Sequence, residues 1–154
     1  KEHHKMKKGM IWEYECSIPP NKNSKKYRNK YTGIMTRTEK FNDFIEEMNG
    51  IGFLFDREIK ELKKEYESGK EKLVEITIEI FMNTRNTDPH NFIEVLLDGI
   101  QEMTGINDRN FVPVMKPRMW IEKMEEKIRF SMKIIDDPYW SSLKDQSKKK
   151  IKKD

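Results

Sequence analysis

A chain of 154 residues is the size of one domain with a modest core. Hydrophobic residues make up 35% and charged residues 38%, so much of the chain must be solvated surface or tail. No apolar run approaches the roughly 18 residues of a membrane span, no leader-like segment opens the chain, and the single cysteine, Cys16, excludes an intramolecular disulfide. The expectation is a cytoplasmic protein without a membrane partner.

The net charge of +4 conceals a segregation. Residues 1–8 carry +3, residues 19–37 carry six basic and no acidic side chains, and residues 141–154 carry +4, which leaves −9 for the remainder. An acidic body with basic loops and ends suits a protein that grips a polyanion with its extremities and keeps carboxylates for a metal ion. Lysine-rich termini also serve as solubilising tails, so for the ends both readings stand. The middle loop lies between ordered elements and mixes Asn21, Asn23 and Tyr27 with its lysines, which favours a binding role.

In chain order, residues 1–9 read as a flexible basic start or expression remnant, with no ligand role for His3 and His4. Residues 10–18 alternate as a strand with Trp12, Tyr14, Cys16 and Ile18 on one side, ending at Pro19 and Pro20. The alternation makes Cys16 a buried core thiol rather than a nucleophile. After the basic loop, Thr36 with Glu39 has the form of a capping box, and Phe41, Phe44, Ile45 and Met48 form a helical stripe expected to stop near Gly50. A second, highly charged helix is expected from about Asp56, on Ile59, Leu62 and Tyr66. Residues 73–82 form the clearest strand: Val74, Ile76, Ile78, Ile80 and Met82 point one way, and Glu75, Thr77 and Glu79 the other.

That strand delivers the chain to Asn-Thr-Arg-Asn-Thr-Asp-Pro-His-Asn, residues 83–91, and then to a helix. At about 100° per residue, Phe92, Ile93, Leu96, Leu97, Ile100 and Met103 share one face, and Asn91, Glu94, Asp98 and Glu102 share the other. Asn91 is a candidate cap with Glu94 as its reciprocal partner, and Gly105 suits a left-handed helix end. Asp88 stands before this helix and Asp108 in the loop beyond it. Two such carboxylates converge on one cation if the chain folds back onto a sheet. Residues 111–121 then read as an edge or irregular strand because of Pro113 and Pro117, and Ile128, Phe130, Met132 and Ile134 as a last strand before a basic tail over residues 137–154. The expected fold is α+β: one domain over residues 10–136, with helices on one face of a mixed sheet of about four strands, in the order strand, helix, helix, strand, helix, strand, strand.

The strand ending in Pro19-Pro20, the loop with Asn21 and Asn23, the Asp-Pro-His-Asn turn, Leu97-Asp98-Gly99-Ile100 and Asn107-Asp108 together resemble the RusA family of Holliday junction resolvases. The likeness spans about residues 12–134 and rests on the order and spacing of short motifs. It implies a homodimeric, magnesium-dependent endonuclease of phage and prophage type that nicks four-way DNA junctions symmetrically. Its acidic positions fall on Asp88, Asp98 and Asp108, and its asparagine on Asn91. Two positions depart from the pattern. His90 stands where the best-known member has a second aspartate, and imidazole suits manganese or zinc better than magnesium. Glu94 stands where that member has a lysine; Arg85, Lys116 or Arg118 are candidate substitutes for the lost cation.

The expected chemistry is hydrolysis of a phosphodiester by metal-activated water, with Mg2+ or Mn2+ held by Asp88 and Asp108 and completed by His90 or Asp98. Asn91 and Glu94 support the site. The DNA contacts expected are Asn21, Lys22, Asn23, Lys25, Lys26, Arg28, Lys30, Arg85, Lys116 and Arg118. The alternatives are a protein that binds branched DNA with weak or no cleavage because of His90 and Glu94, and a structural or RNA-binding protein whose acidic helix face is merely solvated. His90 itself is read either as a ligand or as a residue that hydrogen-bonds its turn.

Overall fold

The computed structural model describes residues 10–69, 71–83, 88–121 and 125–138. The expected Arg85, the histidines at 3 and 4 and the basic tail from residue 139 onward lie outside them. Among the described residues seven strands and three α-helices follow one another: β1 (Trp12–Cys16), β2 (Lys26–Arg28), β3 (Met35–Arg37), α1 (Glu39–Leu54), α2 (Asp56–Glu67), β4 (Lys72–Met82), α3 (His90–Thr104), β5 (Phe111–Met115), β6 (Met119–Trp120) and β7 (Lys127–Asp136). This is a small mixed α+β domain.

Alternation organises the main sheet, whose order is β1-β7-β4-β5, with β6 beside the end of β4. Val74, Ile76, Ile78, Ile80 and Met82 of β4, Ile128, Phe130 and Met132 of β7, and Trp12, Tyr14 and Cys16 of β1 are all buried and join one core with the helices. Every second residue between them, from Glu13 and Glu15 to Glu75, Thr77, Glu79 and Arg129, occupies the other, partly solvated face. The central pair β4–β7 is antiparallel over ten residues, whereas β5 and β6 run parallel to β4. A parallel return needs a crossover, and α3 supplies it. Pro113 sits in β5, an edge strand, where its missing N–H costs no central pairing. Burial pushes the Cys16 thiol pKa upward, with Glu47 adding to the rise, as befits a packing residue.

Three local expectations are corrected. The cap of α1 is Thr38, whose side chain accepts from Phe41 N, and not Thr36, which pairs with Tyr27 inside a short hairpin. The helix also runs past Gly50 to Leu54, because Ile51 packs on the core and a glycine inside a helix costs only about 1 kcal/mol. The helix α3 begins one residue earlier than Asn91, which has no capping role: Asp88 accepts from His90 N through its side chain (3.0 Å) and from Asn91 N through its carbonyl (3.0 Å). Gly105 does close α3 in the left-handed region, at φ 73°.

Packing of α1 against α3 explains one further glycine. A Cβ at Gly99 would lie 2.7 Å from Phe44 Cε2 and 2.8 Å from Met48 Cγ, so only a bare backbone lets the two helices approach this closely. The buried stripe of α3 is Phe92, Val95, Leu96, Gly99, Ile100 and Met103, with Ile93 and Leu97 only half-buried. It is rotated slightly from the expected stripe because Gly99 sits against α1.

Candidate functional site

At the head of α3, Asp88 and His90 form a pair. The Asp88 carboxylate Oδ1 accepts from the His90 backbone N–H at 3.0 Å and stands 2.9 Å from His90 Nδ1. A carboxylate only accepts, so Nδ1 carries the proton, and in the neutral ring Nε2 keeps its lone pair for a ligand or a proton. The hydrogen bond from the ring, then the one from the backbone, holds the Asp88 carboxyl below its ordinary range, with smaller Coulombic help from His90 and from Arg118. The helix N-terminus favours the same charge. Both side chains are exposed, His90 at 87% and Asp88 at 59%. Arg118, on the exposed link between β5 and β6, is thereby placed in the electrostatic neighbourhood of Asp88; Lys116 is exposed on the same link.

One turn further on, the acidic face of α3 meets the basic loop. Lys25 Nζ stands 3.0 Å from Glu94 Oε1 and 2.9 Å from Asp98 Oδ2, with only 21% of its side chain exposed. Burial would lower the Lys25 pKa, but its bonds to Asp98 and Glu94 more than offset that, and the net shift is upward. Arg37 reaches toward Glu102 at 4.0 Å and stacks 5.1 Å over the Phe41 ring. The loop is thus clasped to the helix by a row of ion pairs, with a shallow cleft between Lys26, Arg37, Asp98 and Gln101. Lys25 is therefore tied down by carboxylates rather than turned to solvent, and Glu94 is its partner. The partners lie 69 and 73 positions away, beyond the reach of any local sequence pattern.

Asp108 lies elsewhere. It opens a short 3-10 turn at Asp108–Asn110, capped by the Asn107 side chain, and its backbone N–H donates to Gln101 Oε1 at 2.8 Å. Gln101, which the sequence did not single out, is thus what fixes this loop to α3. The 15 residues of α3 separate Asp88 from Asp108 by about 22 Å of helix. The sheet register agrees: Phe111 pairs with Val74 at the start of β4, whereas Asp88 follows the opposite end of that strand. The expected convergence of Asp88 and Asp108 on one cation does not occur within a single chain, because α3 is a full crossover and not a fold-back. Among the described residues no three His, Cys, Asp or Glu side chains are grouped to hold a metal ion.

The other expected contacts are distributed along the loop. Asn21 accepts from Asn23 N and caps a 3-10 turn at Lys22–Ser24. Lys22, Asn23, Lys26, Arg28 and Lys30 are exposed, and Asn91 is half-buried in the first turn of α3. No helix among the described residues is long and apolar enough to cross a membrane. In comparisons with known proteins, no family model and no curated protein matches this chain.

Proposed function

We propose that this protein is a divalent-metal-dependent endonuclease that acts on four-way DNA junctions, as its likeness to the RusA resolvases implies. The observation that carries the reading is the Asp88–His90 pair at the solvent-exposed head of α3, on the same helix whose outer face receives the basic loop. Asp88 orients the imidazole, His90 offers Nε2 to a ligand or proton, and Arg118 supplies positive charge near the carboxylate where the family pattern has a lysine. A bound divalent ion would supply an activated water and polarise the phosphate. Among the described residues no three such donors are grouped within one chain, and in this reading a second copy in the homodimer contributes the further carboxylate, Asp108 or Asp98.

Lys25 favours a second reading. It already neutralises Glu94 and Asp98, so this acidic face is an internal clasp, and the protein then binds branched DNA without cutting it. One experiment separates the two: labelled four-way junctions and linear duplexes incubated with the protein in magnesium and in manganese, beside Asp88→Asn. Junction-selective nicking that disappears in Asp88→Asn supports the nuclease. Binding without nicking in either metal leaves the binding protein.

A further inference from the structure

The hairpin of β2 and β3 has no role in the core. Its strands pair Lys26 with Arg37, Tyr27 with Thr36 and Arg28 with Met35, apart from the main sheet. It nevertheless gathers four large apolar or aromatic side chains in the open: Tyr27 at 49% exposure, Tyr31 at 96%, Ile34 at 66% and Met35 at 51%. Among the described residues these are four of the eleven such exposed side chains, within nine positions, which marks an interaction surface rather than scattered exposure. The same stretch carries Lys26, Arg28, Lys30 and Arg37 and no acidic residue.

The tip is ordered without using its aromatic ring. Asn29 N–H donates to Ile34 O at 2.9 Å, and Asn29 O accepts from Gly33 N at 2.9 Å. The Asn29 side chain accepts from Tyr31 N (2.8 Å) and Thr32 N (3.2 Å), and Arg28 Nη1 donates to Gly33 O (2.7 Å). Gly33 takes φ 70°, a conformation that suits glycine. At the base, Thr38 N–H donates to Lys25 O at 2.8 Å, and Lys25 and Arg37 hold the hairpin to α3 and α1. The backbone and these clasps hold Tyr31 out in water, and no core packing accounts for it.

We propose that this hairpin binds unpaired nucleotides of single-stranded or branched DNA, with Tyr31 and Tyr27 as stacking platforms and Lys26, Arg28 and Lys30 on the backbone phosphates. An aromatic ring accepts the π-face of any base, and cations beside it neutralise the chain that carries those bases. An acidic protein surface also matches this charge, but rings interleaved with cations along one short hairpin match a ligand that carries flat bases and phosphates in alternation. A duplex keeps its base faces stacked inside and leaves the rings idle. The inference deepens the proposed action on branched DNA, since the branch point of a junction interrupts the stacking that a continuous duplex maintains and so opens base faces to an aromatic ring, but it does not require cleavage.

The test is fluorescence anisotropy of the full chain with labelled oligothymidine, a duplex of equal length and a four-way junction, without divalent metal. The expected result is that oligothymidine binds more tightly than duplex, that Tyr31→Ala and Tyr27→Ala each weaken it by about tenfold, and that Tyr31→Phe stays within about threefold of the parent. Because both rings are exposed, the variants keep the parent's melting temperature. Equal affinities of Tyr31→Ala, Tyr27→Ala and parent for oligothymidine overturn the proposal, as does tighter binding of the duplex. A parent that stacks through Tyr31 yet nicks no junction supports this inference while removing the nuclease reading. A parent that nicks junctions with no dependence on either ring overturns this inference alone.

Discussion

Lys25 Nζ lies 2.9 Å from Asp98 Oδ2, joining the basic loop to the acidic face of α3 across 73 positions of sequence. Both side chains are largely shielded, at 21% and 25% exposure, so this pair is worth more than a surface ion pair. Lys25→Met is expected to lower stability by about 1–2 kcal/mol, with Asp98→Asn costing a similar amount and the double variant less than their sum. Chemical denaturation of the four proteins measures the coupling. Strict additivity would show that the clasp contributes nothing.

The distance between Asp88 and Asp108 makes the composite site testable by mixing. Asp88→Asn and Asp108→Asn are each expected to abolish junction nicking. If a second copy completes the site, an equimolar mixture recovers nicking to about a quarter of the parent's, since half the dimers are mixed and one of their two sites is intact. No recovery after subunit exchange would remove Asp108 of a second copy from the site.

His90 decides metal preference if its free nitrogen is a ligand. Imidazole is softer than a carboxylate, so the parent is expected to nick better in manganese than in magnesium. His90→Asp should shift the preference toward magnesium, and His90→Ala should raise the metal concentration needed. An unchanged metal titration for His90→Ala would reduce His90 to a residue that holds the turn.

Gly99 tests the helix packing independently of function. Adding a methyl group against Phe44 and Met48 forces those side chains or the helices apart, and Gly99→Ala is expected to destabilise the fold by about 1–3 kcal/mol despite the better helix propensity of alanine. Thermal melting reads it. A stabilised Gly99→Ala would mean that α1 and α3 do not approach this closely.

On the open face of the sheet, Glu15 meets Lys127 at 2.9 Å and Arg129 at 3.2 Å. The hydrogen bond from Lys127 outweighs partial burial, and with Arg129 it holds the Glu15 carboxyl below its ordinary range. A carboxyl lowered on folding stabilises the fold above its unfolded pKa, and that contribution disappears as pH falls through the lower, folded value. Glu15→Gln should therefore melt at a lower temperature than the parent near neutrality and converge with it in acid. Parallel melting curves against pH would show that Glu15 is unlinked to folding.

Much of the fold is local physics and could be read from the chain. The alternation of Val74 to Met82 against Glu75, Thr77 and Glu79 determined a one-sided strand, because a pleat sends successive side chains to opposite faces. The buried thiol at Cys16, the helix from Asp56 and the left-handed end at Gly105 follow from the same kind of short-range rule. Tertiary structure alone decided the rest. That Thr38 rather than Thr36 caps α1 depends on a hairpin that consumes Thr36, and that Gly99 is needed depends on Phe44, some fifty positions earlier. The candidate site shows the difference most plainly. Asp88 beside His90 was legible because two residues apart on a turn are always neighbours. Whether Asp108 joins them, and whether Lys25 faces DNA or a carboxylate, depends on the direction in which a crossover helix carries the chain and on which loop lands on it, and neither leaves a mark in the spacing of the residues.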